Sequence, residues 1–287
     1  MTSPQHATNK TPAERMTHGL VEYASQGGIA TITMVDPPAN TYTHEMMADL
    51  DQAILKARFD DEAHVIVLLG KGDKFFSAGA NIKMLASVTP RFKYFFCLHA
   101  NETLNRLEQT PKLVIAALNG HTVGGGLEIA MAADLRWAWR NTGPGKEKQP
   151  SVGLPEVNLG VLPGTGGTQR LVRIVGKSKA IDMMTNGRNY TFDEAREWGI
   201  LNEIVEAPSL EGFLEKVYTK AAEYCPPNRA SKAVGLIKRS CQSGAEVPFE
   251  SALAIERELQ QQLFQSEDAK EGLAAYNAKR KPVFKGK

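Results

Sequence analysis

Short apolar runs alternate with amphipathic stretches over the first two hundred residues of the chain. Residues 65–69 and 113–118 are continuous apolar runs rich in Val, Leu and Ile, which is typical of strands covered on both faces. Residues 43–59 place Met, Ile and Leu at helical spacing with acids and bases between them, and residues 92–109 also predict a helix. This alternation of strand and helix indicates the α/β class.

Shorter patterns complete the outline. Residues 19–24 and 29–35 flank a glycine turn and predict a β-hairpin, and residues 135–139 and 203–205 predict further short strands. The sequence TFDE at residues 191–194 is a capping box that opens a helix. Beyond residue 208 the pattern is helical over 210–224, 229–240, 248–264 and 269–279, with a break at Pro226-Pro227.

These patterns predict three parts along the chain. Residues 1–18 are polar and predict a flexible tail, residues 19–208 predict an α/β core, and residues 209–287 predict a C-terminal helical region. Within the core, residues 141–151, NTGPGKEKQPS, are polar and rich in turn formers, so we expect a surface loop there.

Composition narrows the class of protein. With 287 residues, 42% hydrophobic and 23% charged, the chain can bury a sizeable core. The net charge of +2 gives no reason to expect a nucleic-acid partner. No apolar run approaches the roughly 20 residues of a membrane span, and the N-terminus has no apolar signal-peptide segment. Three widely spaced cysteines without a CxxC motif indicate reduced thiols and a cytoplasmic location.

The stretch LVIAALNGHTVGGGLEIAMAADL, residues 113–135, carries the first candidate chemistry. A buried strand is followed by Gly124, Gly125 and Gly126 and then by a helical pattern. Glycines at a helix start leave backbone N–H groups open to an anion or a developing oxyanion. Glu128 lies in the first helical turn among apolar residues. A carboxylate favoured only by the helix dipole is the alternative interpretation of Glu128.

A second glycine turn occupies the equivalent position after the strand at residues 65–69. Residues 70–85, GKGDKFFSAGANIKML, predict a loop with a helix start near Asn81. Ligands bind at the carboxyl ends of parallel strands, so two such turns could each direct one N–H group to a common point. Ser77 is a poor candidate nucleophile, because Phe75 stands where the GxSxG motif requires glycine.

Glu156 is a second carboxylate with apolar neighbours, in the segment VGLPEVNLGVLPGTGG. The alternative interpretation is a loop acid that pairs with Arg170 or Arg173. The glycines nearby do not form a nucleotide site: Gln169 replaces the glycine of a dinucleotide fingerprint, and Leu171 replaces the first glycine of a Walker A loop. No metal-ligand spacing is present either, so we expect neither a metal nor a redox cofactor.

Two carboxylates and two glycine turns together suggest acid–base chemistry beside an oxyanion hole. Burial and a neighbouring like charge both raise the pKa of a carboxyl group, so one acid can be a neutral proton donor while the other is a base. Water addition to an α,β-unsaturated thioester requires this set: a carboxylate that activates water, N–H groups that hold the enolate oxygen, and an acid that protonates the α-carbon.

The segment NGHTVGGGLEIAMAADLRWA resembles the signature segment of the crotonase, or enoyl-CoA hydratase/isomerase, superfamily, and the resemblance runs from about residue 19 to the C-terminus. It implies a crotonase-like spiral of ββα units with C-terminal helices, assembled as homotrimers or homohexamers. By residue-wise match, the resemblance implies that Ala80 and Gly125 supply the oxyanion N–H groups, and Glu128 and Glu156 match the two catalytic glutamates of the hydratases. The match implies substrate-binding roles for Ala78, Ala80, Asn81, Ile82, Lys83, Gly124 and Gly125.

The resemblance implies an enoyl-CoA hydratase whose partner is an acyl-CoA thioester, with coenzyme A as part of the substrate and no other cofactor. Another CoA-thioester reaction on the same fold (isomerase, dienoyl-CoA hydratase or hydrolase) stays open, as does a non-catalytic CoA-binding protein. The basic end, KRKPVFKGK, resembles the family's C-terminal ending and implies a contact with CoA phosphates; a solvated tail is the alternative.

Three features depart from the family pattern. Asn81 stands where hydratases commonly have Asp, and Thr41-Tyr42-Thr43 stands where Ala-Leu is common. The loop at residues 141–151 is longer than expected of a short-chain hydratase. All three bear on which acyl group is accepted and only weakly on the class of reaction.

Overall fold

A computed structural model describes residues 13–145 and 148–287, and its strands form two sheets. The seven-stranded sheet contains, in spatial order, β1 (Glu14–Arg15), β2 (Val21–Gln26), β3 (Ile29–Met34), β4 (Val65–Gly70), β6 (Leu113–Leu118), β8 (Leu135–Asn141) and β11 (Glu203–Ala207). The four-stranded sheet contains β10 (Tyr190–Thr191), β9 (Ser151–Gly153), β7 (His121–Val123) and β5 (Phe75–Ser77). From β3 to β11 the large sheet is parallel.

Successive pairs of strands wind as a spiral. The first strands of the pairs β4–β5, β6–β7 and β8–β9 are parallel neighbours in the large sheet. The second strands of the same pairs are parallel neighbours in the small sheet. Each turn therefore crosses from one sheet to the other before a helix returns the chain. This arrangement confirms the predicted α/β spiral of two-strand units.

The helices connect and cover these strands. In chain order they are α1 (His44–Phe59), α2 (Ile82–Ser87), α3 (Pro90–Glu108), α4 (Gly125–Met131), α5 (Gly167–Val175), α6 (Lys177–Asn186), α7 (Phe192–Glu197), α8 (Leu210–Ala222), α9 (Ser231–Gly244), α10 (Phe249–Phe264) and α11 (Glu267–Asn277), with a short 3₁₀ helix at Glu156–Leu159. The predicted capping box is present at the start of α7, where Thr191 and Glu194 exchange side-chain and backbone hydrogen bonds.

The two faces of the large sheet pack against different helices. Alternate residues such as Ile66 and Leu68 contribute to a core shared with α1, α3 and α4, while Val65 and Val67 face the opposite side. On that side they join a core that includes Phe213 of α8. The predicted C-terminal helical region therefore begins with a helix that belongs to the packing of the α/β core.

The last part of the predicted N-terminal tail is held by the large sheet. Of the predicted flexible tail, residues 1–12 lie outside the described residues, and β1 at Glu14–Arg15 pairs with β2. Met16 is buried and its N–H donates to the carbonyl of Val21. The antiparallel pairing with β2 holds this segment, because it satisfies the backbone groups of an otherwise exposed sheet edge. Part of the predicted loop at 141–151, namely residues 146 and 147, also lies outside the described residues.

Candidate active site

The glycine turn between β7 and α4 brings the backbone into close contact with two neighbouring segments. Gly124 has φ +56° and its N–H donates to the carbonyl of Gly153. A Cβ atom on Gly126 would stand 2.1 Å from the carbonyl oxygen of Ser77, so only glycine fits there. The sequence folds this way locally because glycine tolerates both the positive φ and the close approach.

The second glycine turn lies directly against the first. Gly79 has φ +87°, and a Cβ atom on it would stand 2.7 Å from the backbone nitrogen of Gly125. The next residue, Ala80, pairs with Tyr42 through a parallel bridge that uses the carbonyl of Gly79 and the N–H of Asn81. This bridge directs the N–H of Ala80 away from Tyr42.

Two backbone N–H groups are left unused where the turns meet. Within residues 13–145 and 148–287, neither the N–H of Ala80 nor that of Gly125 donates a hydrogen bond to the protein. Buried backbone donors are almost always paired, so two free donors on adjoining turns indicate a place for a ligand oxygen. The structure thus brings both predicted oxyanion residues together.

A cavity of about 490 Å³ opens at this point. The polar groups in its lining are Tyr42, Thr89, Lys93, Glu128, Glu156, Asn158 and Thr165, and most of the remaining wall is apolar. Of the seven residues with a predicted substrate-binding role, Ala78, Ala80, Ile82, Gly124 and Gly125 line the cavity. Asn81 and Lys83 lie outside its lining. Asn81 instead caps α2, its Oδ1 accepting from the N–H of Met84 at 3.0 Å.

Glu128 is held by the start of a different helix from its own. Its side chain is 2% exposed, and its Oε1 accepts hydrogen bonds of 2.7 Å from the N–H groups of Thr165 and Gly167, at the beginning of α5. Burial raises the pKa of Glu128, and the two backbone donors offset part of that rise. The carboxylate therefore satisfies open N–H groups at the start of α5.

Glu156 lies in the same cavity but in a poorer polar environment. Its Oε2 is buried and has no hydrogen-bond partner within the described residues. Burial and the charge of Glu128 raise its pKa to about 7. A Cβ atom on Gly124 would stand 3.1 Å from Glu156 Oε1, so this carboxyl group lies beside the turn that precedes α4.

The alternative partners of Glu156 are engaged elsewhere. Arg170 pairs with Glu108 at 2.6 Å, and Arg173 pairs with Glu246 at 2.7 Å. Glu156 is therefore not the loop acid of an ion pair with either arginine. Its place in the cavity lining and its unpaired Oε2 leave this carboxyl group able to act on a ligand.

Tyr42 and Thr165 contribute to the cavity but were not among the predicted site residues. The Tyr42 hydroxyl and Thr165 Oγ1 share a buried hydrogen bond of 2.8 Å. In the sequence, Tyr42 stands out only as part of a departure from the family pattern, and Thr165 only as part of a glycine-rich segment. Lys93 also lines the cavity, and its positive charge offsets part of the rise in the pKa values of Glu128 and Glu156. A single lysine on an amphipathic helix gives no sequence signal of such a role.

Two other candidates have structural roles. Ser77 Oγ donates to the carbonyl of Asn40 at 2.7 Å and accepts from the N–H of Gly79, so it supports the turn and is not a free nucleophile. The basic C-terminal end packs near His64, just before β4, where a Cβ atom on Gly286 would approach the His64 ring at 3.0 Å. The cavity lies at the carboxyl ends of the strands, whereas His64 lies at their amino ends. The basic C-terminal segment therefore does not line the cavity of its own chain.

In residues 13–145 and 148–287, the structure shows neither a cluster of metal-ligating side chains nor a helix that could cross a membrane. No three His, Cys, Asp or Glu side chains there are grouped so as to hold a metal ion. In the same part of the chain, no helix combines the length and the apolar character needed to cross a bilayer.

Comparison with known proteins points to one family. The family model described as enoyl-CoA hydratase/isomerase matches residues 24–287. A short-chain-enoyl-CoA hydratase from Clostridium acetobutylicum is 35% identical over 257 residues, covering 89% of this chain and 94% of that protein. An (E)-benzylidenesuccinyl-CoA hydratase from Thauera aromatica is 32% identical over 259 residues, covering 90% and 96%. The crystal structure of an enoyl-CoA hydratase from Geobacillus kaustophilus HTA426 superimposes with a TM-score of 0.85 at 42% identity, covering 93% and 97%.

Proposed function

The chain belongs to the enoyl-CoA hydratase/isomerase family, and we propose that it is an enoyl-CoA hydratase that adds water across the α,β double bond of an acyl-CoA thioester. One observation carries the proposal. Glu128 and Glu156 line the same cavity as the unused N–H groups of Ala80 and Gly125. Acid–base catalysis beside an oxyanion hole needs this combination of groups.

The surroundings of the two glutamates support different roles. Glu128, with two backbone donors on one oxygen, is the better candidate for the ionised base. Glu156, with a pKa raised to about 7, is the better candidate for the proton donor. In the proposed reaction the water oxygen bonds to the β-carbon and its proton passes to Glu128. The double-bond electrons move onto the thioester oxygen, held by Ala80 and Gly125, and the α-carbon takes the proton of Glu156.

These groups suffice for the reaction without a metal or a redox cofactor, so we propose that coenzyme A enters only as part of the substrate. The apolar cavity wall suits an acyl chain, and Ile82 lines that wall while more than half exposed. We assign Asn81 and Lys83, which adjoin this wall at the start of α2, to contacts with the longer CoA portion.

We further propose a trimer-based oligomer that acts in the cytoplasm. Family resemblance and the exposed apolar side chains of the C-terminal helices support the oligomer. The three cysteines, Cys97, Cys225 and Cys241, are all free in the structure, which suits a reducing compartment.

The test is a hydration assay with crotonyl-CoA and several branched or cyclic enoyl-CoAs, following loss of the conjugated thioester absorbance. We expect turnover, and we expect Glu128→Gln and Glu156→Gln each to lower kcat by roughly 10²–10⁴-fold with little change in KM. The double variant should lose little more than the worse single one, because both acids act in one addition.

Two results would point to the alternatives. If Glu156→Gln kept near-full hydration activity while Glu128→Gln lost it, a one-carboxylate isomerase would be the better account, and the same preparations should then be assayed with a β,γ-unsaturated acyl-CoA. Binding of acyl-CoA without turnover of any enoyl-CoA tested would indicate a non-catalytic CoA-binding protein.

A further inference from the structure

We infer that Tyr42 is a positioning residue for the proposed hydration. Its backbone and side chain contact both oxyanion turns, which are the glycine turns that carry the N–H groups of Ala80 and Gly125, and its hydroxyl contacts the residue whose N–H holds Glu128. This inference rests on the proposed function, but the geometry on which it depends is separate from the identity of the acyl group. Tyr42 is 2% exposed and lies just before α1, in the segment that departs from the family pattern.

The backbone of Tyr42 holds the first oxyanion turn. Its N–H donates to the carbonyl of Gly79 at 3.0 Å, and its carbonyl accepts from the N–H of Asn81 at 3.0 Å. Both flanks of Ala80 are therefore fixed by one residue, and the N–H of Ala80 between them is left pointing elsewhere. Any residue at position 42 other than proline can make this backbone contact.

The ring of Tyr42 lies against the second oxyanion turn. A Cβ atom on Gly125 would stand 2.4 Å from both the Cε1 and the hydroxyl oxygen of Tyr42. The ring also packs on Phe96 of α3, with 5.6 Å between ring centroids. Contact on both sides fixes the ring, so the position of the hydroxyl is defined by packing.

The hydroxyl of Tyr42 reaches the support of Glu128. It shares a 2.8 Å hydrogen bond with Thr165 Oγ1, while the N–H of Thr165 donates to Glu128. The carbonyl of Thr165 accepts from Arg170 at 3.1 Å. Every polar atom of Thr165 thus takes part in a hydrogen bond, and Tyr42, which also contacts the oxyanion turns, is the partner of its hydroxyl group. A loss of that contact should loosen the N–H group that holds the carboxylate.

Burial, together with the nearby charge of Glu128, keeps the Tyr42 hydroxyl protonated. Burial raises the pKa of Tyr42 well above its ordinary value, and the charge of Glu128 adds to the rise. The other titratable or charged groups that act on Tyr42 or Glu128 are Glu156, Cys97, Lys93 and Arg170. All of them remain in a Tyr42→Phe variant, so a change in the titration of Glu128 would be caused by loss of the hydroxyl.

The experiment removes the hydrogen bond from each side. Tyr42→Phe keeps the ring and the backbone bridge, and Thr165→Val keeps the N–H that donates to Glu128. We expect each variant to lose about 3- to 10-fold in kcat with KM changed less than about twofold, the size expected for one buried hydrogen bond. The double variant should lose no more than the worse single one, and Thr165→Ser, which keeps a hydroxyl, should recover most of kcat.

Tyr190 provides the matched control. It is also about 1% exposed, and its hydroxyl accepts from Asn186 Nδ2 at 2.7 Å, but it does not line the cavity. Tyr190→Phe should therefore cost folding stability without changing kcat or its pH profile. In Tyr42→Phe, the pKa that Glu128 contributes to the kcat/KM pH profile should rise. The N–H of Thr165 would be held less firmly and would stabilise the carboxylate less.

A readout that needs no turnover separates this inference from the proposed function. In protein carrying ¹³C-labelled glutamate side chains, NMR titration should show a higher pKa for Glu128 in Tyr42→Phe than in the wild type and no change in Tyr190→Phe. Unchanged titration and unchanged kcat in Tyr42→Phe, with an active wild type, would overturn the inference alone. A wild type inactive on every enoyl-CoA would overturn the proposed function, and the titration would still decide the role of Tyr42.

Discussion

Glu128 and Glu156 differ in what surrounds their oxygens, although both carboxyl groups lie in one cavity. Glu128 accepts two backbone hydrogen bonds, which favour the ionised form, whereas Glu156 has a buried oxygen without a partner in the described residues. Like charges in one low-dielectric site cannot both ionise at low cost, so the group with fewer donors takes the proton. The proposed division of roles between acid and base thus follows from the number of backbone N–H groups that donate to each carboxyl group.

The raised pKa of Glu156 predicts a pH-dependent cost to folding. Below about pH 4.5 both the folded and the unfolded chain carry the proton, so Glu156 has no effect. As pH rises from there to about 7, the unfolded chain releases the proton and the folded protein keeps it, so the free energy of unfolding falls; above about 7 the cost is constant. Glu156→Gln removes this titration and should stabilise the protein at pH 8 by on the order of 1–3 kcal/mol relative to its effect at pH 4.5.

Denaturant unfolding of the wild type and of Glu156→Gln at several pH values between 4.5 and 8 checks this. Glu194→Gln is a control of opposite sign: hydrogen bonds from Thr191 lower the pKa of Glu194, so its contribution is lost only as pH falls below about 4.5. The difference between Glu194→Gln and the wild type should stay constant from pH 5 to 8. A Glu156→Gln difference that is flat or shrinks over this range would contradict the prediction.

Sequence reasoning found the residues whose chemistry stands out against their neighbours. Glu128 and Glu156 were recognisable as carboxylates in apolar segments, and the resemblance assigned Ala80 and Gly125 by motif. Tyr42 and Thr165 carried no such contrast, because their importance comes from a hydrogen bond between residues 123 positions apart. A contact of that separation is determined by how the turns meet and has no local pattern.

At the scale of elements, the start of α5 is the part of the fold on which the site depends most. Gly167 is the first residue of α5, and a Cβ atom on it would stand 2.9 Å from Glu128 Oε1, 2.9 Å from the Cβ atom of Pro163 and 3.0 Å from Glu128 Cγ. The end of the Glu128 side chain can move more easily than the Pro163 ring, so the extra methyl group should displace the carboxylate, while the contact with Pro163 should lower the stability of the fold. The proposed base would then lose its position while the helix remained.

Gly167→Ala should therefore lower kcat at least about tenfold. It should also lower the melting temperature, because the contact with Pro163 opposes the gain of up to about 1 kcal/mol that Ala has over Gly in a helix. Gly212→Ala, in the first turn of α8, is the matched control: its new Cβ atom would meet nothing closer than 3.7 Å. Steady-state kinetics and thermal unfolding of both variants check this. Equal kcat values in the two variants would argue against a fixed position for Glu128.

The elements that periodicity predicted are the long ones. α1, α3, β4 and β6 were predicted within one or two residues at most ends, because each repeats its pattern over several positions. The strands β5, β7 and β9 have only three residues each, which is too short for an alternating pattern to be recognised. The segment of β5 was interpreted as a loop, and β7 and β9 were not predicted. The helices α5 and α6 follow a glycine-rich stretch that hid their start. The small sheet was therefore accessible only through family resemblance.

At the scale of the whole molecule, the C-terminal helices are incompletely covered within one chain. No residue of α10 is buried, although the helix carries Phe at both ends, and Phe264 is 61% exposed. In α11, Leu273 and Tyr276 are also more than half exposed. Helical faces with this much exposed apolar surface are typical of an interface between subunits. The first helix of this region, α8, packs on the large sheet and is already covered. The exposed apolar surface therefore belongs to the later helices α10 and α11.

We therefore predict that the purified protein has three or six times the chain mass of 31.4 kDa in light scattering at micromolar concentration. Phe264→Asp should shift the distribution toward smaller species, because a charge at an apolar interface must be desolvated without a partner. Phe59→Asp is the matched control, since Phe59 is 79% exposed but lies at the end of α1, outside the C-terminal helices. A monomer mass for the wild type, or equal effects of the two substitutions, would show that the exposed C-terminal side chains do not hold an oligomer together.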